Sequence, residues 1–174
     1  MAEFGDAPSA LSSNISRLRR ALPREDHVVE LLMAARSLHL HALGSDIERR
    51  PLFADDRAVQ RYLFAHMAHE PAEQARVLHL NAKNRLIRED VFARGTVDRV
   101  NISTRELVRR ALDLGTTAMI LAHNHPSGDP TPSGSDLTIT RDISQAAKLF
   151  DIRLLDHIIV ARSGCYSFRA SGRL

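Results

Sequence analysis

The sequence is poor in cysteine and aromatic residues: it has one cysteine, no tryptophan, and 5% aromatic residues in all. A single cysteine, Cys165, excludes an internal disulfide and a cysteine-rich metal knuckle. It also excludes nucleobase deamination of the zinc type, which requires a Pro-Cys-x-x-Cys pair of ligands. The scarcity of aromatic rings argues against a surface on which nucleic-acid bases stack.

Long apolar runs and a strong charge of one sign are absent as well. No stretch approaches the ~18 apolar residues that a membrane span requires. Ser, Asn and Arg interrupt the first twenty residues, where a signal peptide would have an apolar run. The formal net charge of +3 does not by itself indicate a nucleic-acid partner. We therefore expect a soluble cytoplasmic protein that does not contact a membrane.

The length of 174 residues and the 44% of hydrophobic residues are sufficient for one packed domain with an additional arm. Residues 1–24 are rich in Ala, Ser and Arg and predict a mobile arm with at most a short helix. Residues 26–43 have the apolar spacing of a helix, and Gly44 predicts the end of this helix. We assign residues 1–50 to an N-terminal arm and helix and residues 51–174 to one domain.

From Pro51 onward the pattern alternates between helix and strand. The predicted helices span residues 54–69, 103–114 and 133–150, and the predicted strands span residues 75–80, 85–92, 117–121, 154–160 and 165–168. Helices and strands that alternate at this pitch predict a single α/β layer domain.

The segment from His123 to Asp136 carries the chemistry. If the preceding strand extends through the histidine pair, His123 and His125 point to the same face. Two neutral imidazoles side by side are preferred ligands of a borderline-soft metal such as zinc. Residues 126–132 contain three prolines and a glycine, which is the composition of a stiff, turned loop. Such a loop can return the chain so that Asp136 meets the two histidines.

Asp136 falls in the first turn of the predicted helix, where the helix N-terminus favours the ionised carboxylate that binds metal. The residues from Ser133 to Asp136 also have the Ser-x-x-Asp form of a capping box, so the same residues start the helix and present Asp136. Three protein ligands leave a fourth position for water, which distinguishes catalytic zinc from structural zinc.

A second His-x-His pair, His39 and His41, provides an internal comparison. It lies in a predicted helix, where residues i and i+2 point far apart. No Ser and Asp follow it at the matching distances. We interpret this pair as ordinary helix surface.

The pattern His-x-His, seven residues, Ser, two residues, Asp resembles the JAMM motif of the MPN superfamily of zinc metalloproteases. The residue order His-Asn-His-Pro-Ser-Gly-Asp-Pro-Thr-Pro-Ser resembles its RadC branch, as do the segments LHLNAKNRLI at 78–87 and LDHIIV at 155–160. The resemblance covers about residue 51 to the C-terminus. It implies an MPN fold, a curved mixed sheet flanked by helices and related to the cytidine-deaminase architecture. It also implies one zinc ion held by His123, His125 and Asp136.

The resemblance further implies a glutamate that holds and deprotonates the zinc-bound water, just before the first strand, and a role for the motif serine, Ser133. Two glutamates lie there, Glu70 and Glu73, and Glu73 matches the family position better. RadC relatives usually have an aromatic or large apolar residue directly after this glutamate, whereas Gln74 follows here. We predict Glu73 and Ser133 as catalytic residues.

These residues predict zinc-dependent hydrolysis of an amide, peptide or isopeptide, in a peptide or protein substrate. One alternative is a DNA-associated RadC-like protein whose zinc only stabilises the domain, supported by the arginines at 17, 19, 20, 24, 49 and 50. Residues 1–50 are nevertheless too short for the helix-hairpin-helix region of longer RadC relatives. A further alternative is that the protein binds metal but is an inactive scaffold. His157 either faces the cleft or is a hydrogen-bonded strand histidine, and we favour the latter.

Overall fold

The computed structural model describes the chain except for residues 1–3, 5–9, 12, 14, 54–55 and 95–102. The helices are α1 (Ile15–Ala21), α2 (Asp26–Arg49), α3 (Arg57–Met67), α4 (Thr104–Asp113) and α5 (Gly134–Lys148). The strands are β1 (Gln74–Leu80), β2 (Leu86–Arg94), β3 (Ala118–Asn124), β4 (Arg153–Ala161) and β5 (Gly164–Ser167).

The strands form one five-stranded sheet in the order β2-β1-β3-β4-β5. Only the pair β3–β4 is parallel, and the other neighbours are antiparallel. The helix α5 connects the two parallel strands, as a crossover connection requires. The sheet is therefore mixed and flanked by helices, which confirms the predicted fold class.

The central strand β3 is buried on both faces. Its alternate residues Ile120 and Ala122 join the core under α3, whereas Met119 and Leu121 join the core under α4 and α5. This explains why the segment 118–122 is apolar throughout instead of alternating. The strand continues to Asn124, three residues beyond the predicted end at residue 121, so it includes His123.

The predicted end of the second helix at Gly44 is wrong, because α2 continues to Arg49. Glycine inside a helix costs about 1 kcal/mol relative to alanine. The last turn compensates by burying Ile47, which is 1% exposed, in the main core. Gly44 also faces Tyr62 of α3. Packing against α3 therefore outweighs the local preference of glycine.

The helix α3 begins later than predicted, at Arg57, because Asp56 caps it by accepting a hydrogen bond from the Ala58 amide at 2.9 Å. Residues 54–55, where the sequence predicted its start, lie outside the described residues.

Near the N-terminus, α1 matches the short helix that the sequence predicted. Its Leu18 is 1% exposed and packs with Phe4, Ala10 and Val29 of α2 in a small apolar cluster. Phe4, Ala10 and Leu18 are therefore packed against that helix. The division at residue 50 remains a prediction. Within the described residues, no helix is both long and apolar enough to cross a membrane.

Candidate metal centre

The two histidines of the motif lie at the carboxyl end of β3, on the face covered by α4 and α5. His123 is the penultimate residue of the strand. The His125 amide donates to the Val160 carbonyl at 2.9 Å, which extends the pairing of β3 with β4 past the end of the strand. Because side chains alternate along an extended chain, both imidazoles point to one face and Asn124 points to the other.

Asp136 reaches the histidines from the first turn of α5. The Nε2 atoms of His123 and His125 are 3.0 Å apart. Asp136 Oδ1 lies 3.1 Å from His123 Nε2, and Asp136 Oδ2 lies 3.5 Å from His125 Nε2. Among the described residues, no other group of three His, Cys, Asp or Glu side chains brings its ligand atoms together in this way.

The hydrogen bonds of His125 favour a cation between these three groups. His125 Nδ1 lies 2.9 Å from the Asp129 carbonyl, which can only accept, so Nδ1 carries a proton. Neutral His125 therefore presents an Nε2 lone pair towards His123 and the Asp136 carboxylate. Lone pairs and a carboxylate that converge at such distances repel one another unless a proton or a metal ion lies between them. The donor set of two imidazoles and one carboxylate suits zinc.

The pKa values of His125 and Asp136 also favour a positive charge between these groups. The hydrogen bond with Asp136 raises the pKa of His125 against the opposing effect of burial, and the Asp129 carbonyl and the Glu73 carboxylate add to the rise. Burial alone would raise the pKa of Asp136, but the neighbouring His123 and His125 rings hold it far below its usual range. The carboxylate is therefore ionised, which is its metal-binding form.

The loop between the histidines and Asp136 is held by its own hydrogen bonds. Asp129 accepts from the amide of Thr131 at 2.9 Å and from its hydroxyl at 2.7 Å. Gly128 has a φ of +92°, a conformation that glycine adopts without strain. Arg162 donates to the carbonyls of Pro126 and Ser127 at 3.3 and 3.4 Å. These contacts connect the loop to the turn after β4 and keep the Asp129 carbonyl at His125.

Two buried residues support His123 from the side opposite Asp136. His157 of β4 is 0% exposed, and its Nε2 lies 2.8 Å from His123 Nδ1. Burial lowers the pKa of His157 well below 6.5, so its ring is neutral at pH 7. Thr140 of α5 lies 2.6 Å from His157 Nδ1. His157 is therefore a hydrogen-bonded strand histidine, which is the interpretation that we favoured from the sequence. One of its hydrogen-bond partners, His123, is a candidate metal ligand. Thr140 was not predicted from the sequence, although it lies one helical turn after Asp136.

The two candidate glutamates have different surroundings. The Glu70 carboxylate forms an ion pair with Arg36 of α2 at 3.5 Å. Glu73 is partly buried, and its charge contributes to the raised pKa of His125. The Glu73 carboxylate therefore acts electrostatically on one candidate ligand, His125, whereas the Glu70 carboxylate is paired with another helix.

Asn124, between the two histidines, holds the segment that carries both glutamates. Its side-chain oxygen accepts from the Gln74 amide at 2.9 Å. Its side-chain nitrogen donates to the carbonyls of Glu70 and Ala72 at 3.4 and 3.2 Å. This role of Asn124 was not predicted from the sequence, although its position between the histidines indicated that it faces the opposite side of the sheet.

Ser133 caps α5 in the predicted capping box. Its oxygen accepts from the Asp136 amide at 3.2 Å, and its hydroxyl donates to Asp136 Oδ2 at 2.6 Å. The Ser133 amide donates to the same carboxylate oxygen at 2.7 Å. The single hydroxyl proton is therefore engaged by Asp136, and the catalytic role of Ser133 remains a prediction. His39 and His41 are exposed on α2 and are not part of the candidate ligand group.

Comparison with known proteins agrees with the geometry. Residues 53–173 match the family model described as a RadC-like JAB domain. A UPF0758 protein of Rhodobacter capsulatus is 40% identical over 171 residues, which cover 98% of this chain and 80% of that protein. A UPF0758 protein of Ruegeria pomeroyi is 41% identical over 172 residues, which cover 98% of this chain and 76% of that protein. The chain therefore belongs to the RadC-like JAB domain family.

Proposed function

We propose that the protein is a zinc-dependent hydrolase that cleaves amide bonds, either peptide or isopeptide, in a peptide or protein substrate. The observation that carries the proposal is the convergence of His123, His125 and Asp136 with the Glu73 carboxylate nearby. Two imidazoles and one carboxylate form a set of three protein ligands, which is typical of catalytic zinc. When bound, zinc lowers the pKa of a coordinated water towards ~7 and polarises the scissile carbonyl.

Glu73 is the proposed general base and acid. Its carboxylate takes one proton from the attacking water as the new C–O bond forms. It then delivers that proton to the leaving nitrogen as the C–N bond breaks. The ion pair with Arg36 makes Glu70 a poor candidate for this role.

Ser133 is the proposed hydrogen-bond donor to the tetrahedral oxyanion. Because its proton is directed at Asp136 Oδ2, this role requires the hydroxyl to rotate towards the substrate when Asp136 binds metal. The Ser133 amide continues to hold the carboxylate during that rotation.

The outer strand β2 is the proposed docking edge for an extended substrate. Its end, Arg94, pairs with Gln74, the residue that follows Glu73. A substrate segment added to this edge as a further strand would lie about 10 Å from β1, on the other side of β2, with main-chain hydrogen bonds providing affinity. Val91 and Ile87 of β2 are exposed and available to contact its side chains.

Zinc content tests the first part of the proposal. Purified protein should contain about one zinc per chain. His123→Ala, His125→Ala and Asp136→Ala should each reduce the occupancy sharply. Full occupancy after any one of these substitutions would refute the assignment of that ligand.

Hydrolysis tests the second part, with a metal-dependent screen of peptide and isopeptide substrates. Glu73→Gln should retain zinc and lose ~10²–10⁴-fold in activity, because a general base is removed. Glu70→Gln is the matched control and should retain both zinc and activity. The reverse result would show that the two glutamates are misassigned. A zinc-loaded protein that cleaves nothing in the screen would favour the inactive scaffold.

A further inference from the structure

A buried chain of hydrogen bonds starts at the backbone of Asp136 and ends on the ring of His123. The Thr140 hydroxyl lies 2.5 Å from the Asp136 carbonyl and 2.6 Å from His157 Nδ1. His157 Nε2 lies 2.8 Å from His123 Nδ1. Thr140, His157 and His123 are 2%, 0% and 4% exposed, so solvent supplies no alternative partners.

The proton positions along this chain follow from one fixed acceptor. The Asp136 carbonyl can only accept, so the one Thr140 hydroxyl proton points to it. Thr140 Oγ1 is then the acceptor for His157, and His157 Nδ1 carries a proton. Because full burial favours the neutral imidazole, His157 Nε2 holds a lone pair. His123 Nδ1 must therefore donate to it, which leaves the lone pair of neutral His123 on Nε2, facing Asp136.

We propose that Thr140 and His157 are positioning residues that select the Nδ1–H tautomer of His123 and orient its ring, so that Nε2 is ready to bind metal. The inference rests on the proposed metal binding by His123, His125 and Asp136. The chain connects two ligands, because it begins on the backbone of Asp136 and ends on His123. Phe168 stacks on the His157 ring with centroids 4.8 Å apart and an interplanar angle of 15°, which holds the ring plane.

A second buried histidine and threonine pair provides a matched comparison. His79 Nδ1 lies 3.1 Å from Thr116 Oγ1, and both residues are buried. The other ring nitrogen of His79 has no hydrogen-bond partner within the part of the chain that the structure describes. His79 pairs with Met119 in β3, four residues before His123, or about 13 Å along the strand. This pair has the same chemistry without a connection to a candidate ligand.

The test uses the full chain and four variants. Thr140→Val and His157→Leu interrupt the chain of hydrogen bonds. His157→Gln retains an acceptor for His123 and a donor for Thr140, and Thr116→Val removes the control hydrogen bond. Zinc affinity is measured by competition with a chromogenic chelator. The imidazole tautomers of the metal-free protein are read from long-range ¹H–¹⁵N NMR spectra.

Loss of a residue that forms a hydrogen bond with a metal-binding histidine typically reduces metal affinity ~10–100-fold. We expect this loss for Thr140→Val and His157→Leu, recovery of most of the affinity in His157→Gln, and wild-type affinity in Thr116→Val. His123 should be the Nδ1–H tautomer in the metal-free wild type. It should populate the Nε2–H tautomer in Thr140→Val and His157→Leu.

Wild-type zinc affinity in both interrupted variants would overturn the positioning role, as would an equal loss in Thr116→Val. If His157→Leu does not fold, Thr140→Val decides, since valine matches threonine in shape. If the wild type binds no zinc, the proposed function fails. The positioning role is then decided by the metal-free spectrum, where an Nε2–H tautomer of His123 would refute it.

Discussion

The removal of the Asn124 side chain should release the segment that carries Glu73 without disturbing the candidate ligands. The side chain lies on the face of β3 opposite His123 and accepts from the Gln74 amide at 2.9 Å. It also donates to the carbonyls of Glu70 and Ala72. Asn124 is 1% exposed, so in Asn124→Ala these groups lose their partner where water does not readily replace it.

The expected cost follows from these three contacts. A buried amide left without an acceptor costs about 1–3 kcal/mol, and each carbonyl loses a hydrogen bond with a net value of about 0.5–1 kcal/mol. We therefore expect Asn124→Ala to lower the free energy of unfolding by about 2–5 kcal/mol. For a chain of this size that corresponds to a fall in Tm of about 4–20 °C.

Urea unfolding and hydrogen exchange of the Gln74 amide measure this effect. The variant should unfold at lower urea and exchange the Gln74 amide faster. Its zinc content should remain unchanged and its hydrolysis should fall, because Glu73 is no longer held. Asn81→Ala is the matched control, since Asn81 accepts from the amides of Lys83 and Arg85 at 2.9 and 3.1 Å in an exposed turn.

Asn81→Ala should cost about 1 kcal/mol and leave the exchange of the Gln74 amide unchanged. If Asn124→Ala unfolds at the wild-type urea concentration with normal exchange at Gln74, the hydrogen bonds of Asn124 do not hold this segment. If it is destabilised but fully active, the segment does not need this contact to position Glu73.

Two further predictions concern stability. Burial lowers the pKa of His79 to about 4, so the unfolded chain, with a pKa near 6.5, binds this proton first as the pH falls. The contribution of neutral His79 to the free energy of unfolding is fully present above pH 6.5. As the pH falls to 4 this contribution is lost, which lowers the free energy of unfolding by up to about 3 kcal/mol. Urea unfolding at pH 6.5 and at pH 4 should therefore show that His79→Leu loses less stability between these two pH values than the wild type does. An equal loss in both proteins would contradict the lowered pKa of His79. Gly128→Ala should cost about 1–3 kcal/mol in urea unfolding, because φ is +92° and a Cβ would lie 3.3 Å from Arg162. Gly134→Ala is its control, since nothing lies within 4 Å of a Cβ there, and it should stay within about 1 kcal/mol of wild type.

The limits of the sequence prediction are clearest at α2 and at β3. Gly44 predicted a helix end from local preference alone, but the burial of Ile47 one turn later stabilises a longer helix. The end of β3 was predicted too early because the apolar run stops before His123. Pairing with β4 continues through Asn124 and extends to the amide of His125. Both elements are extended by contacts with residues that are distant in sequence.

The sequence by itself determined the features that depend on local spacing. Alternation along a strand placed His123 and His125 on one face, and the Ser-x-x-Asp pattern placed Asp136 in the first turn of α5. Only the tertiary structure distinguished the surroundings of Glu70 from those of Glu73, and only it connected His123 to Thr140 through His157. The physical reason is that periodicity specifies which face a side chain occupies, whereas its partner on that face is set by the register between distant strands and the packing of helices across the sheet.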